Sequence, residues 1–213
     1  MPPGEALREA ILDAAERLMA RYGYKKMTVD DLAQEVGIGK GTIYLYFPSK
    51  EEVALTIIDR IVARVMERLQ RHAASPSSPA ENLRQMLVDR VLIRIDSVQR
   101  YSESIDELFR ALRPAVLARR RRYFEEEAAV VASVVREGQR RGMFEPGDPL
   151  STAQALLIAT NSLLPSSLST RELGEREEIE ARTTQIVDLL LAGLLRRAEP
   201  TSVAPASERM SDR

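Results

Sequence analysis

Residues 27–50 read MTVDDLAQEVGIGKGTIYLYFPSK, and few backbone paths satisfy that string. Thr28 is an N-cap with Asp31 three residues on as its capping-box partner, so a helix starts there. Met27 and Leu32 stand where a hydrophobic staple closes on the first turn. Gly37 supplies the positive φ that stops this helix and turns the chain. Small Ala33 lets a second helix approach, and Leu32, Val36, Ile38 and Ile43 are the apolar side chains that set the crossing angle. The second helix, about residues 40–46, is too short to nucleate by itself and exists only if packed. Pro48 follows it, and Ser49 with Glu52 makes the capping box of a long fourth helix. The unit is a helix-turn-helix.

Helical spacing continues through nearly all of the remaining chain, and nothing alternates as a strand does. Leu7, Ile11, Ala14, Ala15, Leu18 and Tyr22 share one face of a first helix that Gly23 stops. The fourth helix is expected to reach about residue 71, before the Ser/Pro-rich loop AASPSSPA at 73–80. Further helices are expected at 81–100, at 104–112, from Pro114 to the stop at Gly142, from the Asp148-Pro149 start to near Pro165, and at 175–197. The fold class is therefore all-α, with about nine helices: a three-helix head on a larger helical body. The expected division is a helix-turn-helix domain at 1–49, a body at 50–198, and a disordered tail at 199–213.

Helix 81–100 is apolar almost all round and should be the buried post of the body. Arg90 and Arg94 lie on it and need an acid, solvent or a ligand anion; an acid or solvent is the simpler expectation. Met86, Arg90, Arg94, Tyr101, Phe109, Tyr123 and Asn161 are the candidates for an effector pocket, with Phe124 nearby in sequence. In the last two helices Leu156, Leu157, Ile158 and Leu163, then Ile186, Val187, Leu190, Leu191, Leu194 and Leu195, offer more apolar surface than one small body hides. That points to a homodimer whose interface is a four-helix bundle.

Net charge is −1, so any nucleic-acid partner must be held by local clustering of cations. Lys25 and Lys26 add charge before the second helix. The basic run at 119–122 reads instead as an ion-paired surface, because Glu125 and Glu126 stand four residues after Arg121 and Arg122. There is no cysteine, and the single histidine, His72, is expected in solvent at the end of the fourth helix. No metal, cofactor or catalytic residue is assigned, and an enzyme built on the body is the weaker reading. Without a leader-like start or an apolar run of spanning length, the expected location is the cytoplasm.

The segment GIGKGTIYLYFPSKEEV closely resembles the core of the tetracycline-repressor (TetR) family of regulators. The likeness extends over the head, including Tyr22-Gly23-Tyr24 and the Thr28 start, and weakly over GQRRGMFEPGDP at 138–149. It implies a dimeric transcription repressor that places one head in each major-groove half-site of an inverted-repeat operator and is released by a small-molecule effector. When bound to DNA it would lie on the nucleoid. Carried onto this chain, the resemblance gives Lys26, Thr28, Lys40, Gly41, Thr42, Tyr44, Leu45, Tyr46 and Lys50 as DNA-contacting residues. Lys40 would face bases, and Thr42, Tyr44, Tyr46 and Lys50 the sugar–phosphate backbone. Gly39 replaces the serine N-cap of many members, at a cost of only tenths of a kcal/mol. Leu45 brings no hydrogen-bonding group to a position that varies in the family.

Overall fold

The computed structural model describes residues 3–98, 102–165 and 174–196. Its helices are α1 (Pro3–Tyr22), α2 (Val29–Val36), α3 (Lys40–Tyr46), α4 (Lys50–Ala73), α5 (Pro79–Val98), α6 (Ser102–Arg140), α7 (Pro149–Thr160) and α8 (Arg176–Leu194). The expected tail and Tyr101 lie outside the described residues.

The head forms around one apolar cluster. Ile11, Leu18, Met27, Leu32, Ile43 and Phe47 from α1–α3 and their turns meet Val53 and Ile57 of α4 there. The buried face of α1 also takes in Leu12 and Met19. Tyr22 departs from the expected face and is half-exposed, because it lies at the end of α1. The Arg21 guanidinium covers its ring instead, 5.7 Å from the centroid. Arg60 of α4 reaches Asp13 of α1 at 2.8 Å and closes the head onto the fourth helix.

α5 is the central post. Leu83, Met86, Leu87, Val91 and Ile95 are all within 2 % of fully buried, around most of its circumference. The Ser/Pro loop before it is tied down by Asn82, whose amide donates to the carbonyls of Ser75 and Ser77. His72 is not in open solvent as expected. Its Nε2 stands 2.8 Å from Asp89 Oδ2, an oxygen shared with Arg68, because α4 stays helical to Ala73 and packs that turn on α5.

The largest departure from expectation is α6. Pro114 does not begin a helix but sits inside one of 39 residues, about 58 Å long. A mid-helix proline removes one backbone bond and crowds the preceding turn. Packing on both sides of Pro114 carries the helix through. Leu108 and Leu112 are buried in the head cluster, and Ala128, Val131 and Val135 in the body cluster. One rod thus runs from the head to the far end of the body, and the described residues hold eight α-helices.

Gly142 stops α6 with φ +68. The chain folds back so that the Phe144 ring lies over Gly138, where a side-chain carbon would come within 2.1 Å of it. Asp148 caps α7 by accepting from the Ser151 amide at 2.7 Å. The helix then ends at Thr160, earlier than expected, in one 3-10 turn at Asn161–Leu163. Phe144 bridges to Leu195 at the end of α8, joining the two last connections.

Candidate nucleic-acid interface and body cavity

The turn between α2 and α3 is built as its residues require. Thr28 Oγ1 accepts from the Asp31 amide at 3.1 Å, while Asp31 Oδ2 accepts from the Thr28 amide at 2.9 Å. Met27 and Leu32 are fully buried beside this cap. Gly37 has φ +77, and its amide reaches the Ala33 and Gln34 carbonyls. On α4 only half of the expected capping box forms. Ser49 Oγ accepts from the Glu52 amide, but the Glu52 carboxylate turns away to Arg119 of α6.

α3 presents an outer edge. Leu45 is 84 % exposed and Tyr44 47 %, a costly arrangement for apolar surface on a helix of seven residues. Lys40 lies on the same edge with its Nζ 2.7 Å from Asp30 Oδ2, both side chains being largely in solvent. Gly41 is open, with nothing within 4 Å of where a side-chain carbon would stand. Lys26 and Thr28 are exposed, and Thr42 is half-buried.

Two of the residues carried over by resemblance have inward duties. Tyr46 is half-buried against the head core, and its hydroxyl lies beside Gly4 at the start of α1. The Lys50 ammonium sits 4.6 Å over the Tyr24 ring and donates to the Tyr24 carbonyl at 3.2 Å. It pins the α1–α2 turn to the start of α4. Tyr24 itself is nearly buried, and that burial pushes its phenol up to about 12.

The acids of the head are largely absorbed. Asp31 is held below the usual carboxylate range by the Thr28 hydroxyl and amide. Glu51 is lowered by its own backbone amide and the Ser49 hydroxyl, while Glu35 pairs with Arg17 and Glu52 with Arg119.

In the body, α4, α5 and α6 with the end of α7 line a cavity of about 100 Å³ that is partly open to solvent. Arg90, Arg94, Phe109, Tyr123 and Asn161 all line it, as do Glu127 and Arg120. Met86 does not: it lies one turn earlier on α5, fully buried in the body cluster. Glu127 was not legible as a site residue, although an acid on the apolar face of Val131 and Val134 is the signal that marks it. It accepts from Arg90 Nε at 2.5 Å and from Arg94, with both partners nearly buried. Burial pushes the Glu127 carboxyl up, but Arg94 and Arg90 outweigh it and leave it below the ordinary value. The same burial pulls Arg94 down to about 10, against the attraction of Glu127. Arg90 also donates to Thr160 at 3.3 Å and Asn161 at 2.9 Å, locking α5, α6 and α7 together.

Below the cavity, α6 grips the first turns of α4. Arg119 donates to Glu52 and to Asp59, and the Tyr123 hydroxyl donates to the other Asp59 oxygen. Arg121 and Arg122 pair with Glu125 and Glu126 on the exposed face, as their spacing suggests.

A helix-turn-helix head thus stands on a helical body that borders a pocket. The family model for bacterial regulatory proteins of the tetR family matches residues 11–57, and that for the tetracyclin repressor-like C-terminal domain matches 79–187, half of the chain. The chain belongs to the TetR family. The HTH-type transcriptional regulator EthR of Mycobacterium tuberculosis is 43 % identical over 76 residues, covering 36 % of this chain and 35 % of EthR. The chain therefore spans about a third of the length of the EthR relatives it matches. A TetR/AcrR-family regulator structure from Thermobifida fusca is 29 % identical with a TM-score of 0.66, covering 89 % of this chain and 98 % of that one. The SmeT–triclosan complex, SmeT being from Stenotrophomonas maltophilia, shares the fold at 22 % identity and a TM-score of 0.60, over 94 % and 98 % of the two chains. Among the described residues no helix is long and apolar enough to cross a membrane.

Proposed function

We propose that this protein is a dimeric transcriptional repressor that reads an inverted-repeat operator with α3 and releases it when a small molecule occupies the body cavity. The observation that carries the DNA half is the outer edge of α3, where Lys40, Tyr44 and Leu45 stand exposed on a helix held only by its packing. An ammonium and a hydroxyl suit phosphates and base edges, and an apolar tip suits a thymine methyl. Lys26, Thr28, Gly41 and Thr42 flank that edge. Lys50 and Tyr46 contribute from behind by fixing the head that presents this edge. The pairing of Lys40 with Asp30 is weak in solvent and is exchanged for DNA at little cost.

The dimer half is supported by apolar side chains that a single chain leaves outside. Ile158 is 60 % exposed on α7 and Leu189 69 % on α8, beside Ala155, Ala181 and Ala192, which permit close helix approach. Other apolar residues of the expected interface, including Leu156, Leu157, Val187 and Leu191, are buried within the chain itself. The interface is therefore narrower than the sequence suggests. The effector half is supported by the cavity and by α6, which runs from its wall to Glu52 at the start of α4. SmeT, of the same fold, is a repressor and forms a complex with triclosan.

Selecting bound sequences from a fragmented genomic DNA pool tests the reading. Recovery of a two-fold symmetric site, with half-sites about 34–36 Å apart or a multiple of that, is expected. Recovery of unrelated sequences with no shared half-site contradicts it.

A further inference from the structure

We infer that the ligand of the body cavity is an amphipathic monoanion, a carboxylate carrying a short apolar chain, with Arg94 and Arg120 as its anion contacts. This deepens the effector reading above and rests on it.

Three guanidiniums, of Arg90, Arg94 and Arg120, border the cavity together with one carboxylate, Glu127. Both Glu127 oxygens are already taken, by Arg90 Nε and by Arg94. Each Arg90 nitrogen already has a partner, because Thr160 and Asn161 accept from its two terminal nitrogens. Arg120 has no carboxylate within ion-pair distance among the described residues, and it faces the same space as Arg94. Among the described residues, three guanidiniums against one carboxylate leave the pocket two positive charges in excess, and for the nearly buried Arg94 charge without a full counterion is costly. A cationic ligand would add to that cost, and a neutral one would leave it unrelieved. A carboxylate would relieve it and fits the planar fork of a guanidinium.

Apart from Asn161 and Tyr123, the remaining wall is apolar and includes Ile58, Ile61, Val98, Val116 and Leu164. A bare inorganic anion would lose its hydration against that wall and gain nothing from it. The ligand therefore carries hydrocarbon. The space of about 100 Å³ is open on one side, so it takes a short chain whose end can extend through the mouth.

Hexanoate, hexanamide and hexylamine share a chain and differ in headgroup charge, so calorimetric titration of the full-length protein with each reads the headgroup alone. Hexanoate is expected to bind about tenfold or more tighter than hexanamide, and hexylamine not to bind. In Arg120→Gln the hexanoate-to-hexanamide ratio should fall to near one. That ratio compares two ligands on one protein, so a partly unfolded variant does not distort it. Arg94→Gln, tested the same way, should lower the ratio too. Hexanamide or hexylamine binding as tightly as hexanoate overturns the inference, as does no binding of hexanoate at millimolar concentration. A ratio unchanged in both variants overturns the assignment of the two arginines. Parallel measurement of bound operator DNA separates this inference from the effector reading. Hexanoate binding in the cavity without DNA release keeps the anion site and sinks the effector role. Release by hexanamide as readily as by hexanoate keeps the effector role and sinks the anion.

Discussion

Glu127 shows at the level of single residues how the body depends on one buried acid. Its carboxyl lies below the ordinary 4.5, so its contribution to stability is complete above about pH 4.5 and is lost as pH falls through the lowered folded value. Glu127→Gln should therefore lower stability by about 3–5 kcal/mol at neutral pH, because two guanidiniums lose their partner, and should flatten the acid side of the stability profile. Urea unfolding across pH checks both. Thr28→Ala removes a cap and should cost about 1 kcal/mol, seen as a lower urea midpoint with an unchanged slope. Thr28 and its partner Asp31 were legible because a capping box is local in sequence. Glu127 was not, because its partners lie 33 and 37 residues away. His72 escaped for the same reason, its partner Asp89 belonging to the next helix.

Helices α2 and α3 could be read at the level of elements because their signals, Thr28, Gly37 and Ser49, act on neighbouring backbone. Pro114 misled because its local cost is real but modest beside the apolar packing that α6 gains on either side. The end of α6 depends on Gly138, whose role no local sequence signal reveals. Here the need is the Phe144 ring pressed on its backbone. Gly138→Ala should destabilise by about 1–3 kcal/mol, because the ring must move out of a packed core, and thermal unfolding measures it. The wild-type protein should also protect the α6 end and the Glu145–Leu194 backbone bond together in hydrogen exchange, since one ring joins them.

For the whole molecule, the head alone carries few cations, so under the proposed function tight DNA binding requires two heads on one site. Leu189→Arg places a charge on the exposed face of α8 and should shift the protein toward monomer in analytical ultracentrifugation, with operator affinity falling at least tenfold. The family and the helical architecture were legible from residues 27–50 and from periodicity. The joint between body and head was not: Arg119, bridging Glu52 and Asp59, looked like one member of a surface charge run. It places α6, which walls the cavity, in direct hold of the helix that follows the helix-turn-helix. The central claim is that this chain binds DNA through phosphate and base contacts of its paired heads. Titrating the selected operator over a range of salt tests it most directly. Affinity is expected to fall linearly on logarithmic axes with a slope of about −4 to −7, the release of counterions from several phosphates. A slope between about 0 and −1 would contradict the account.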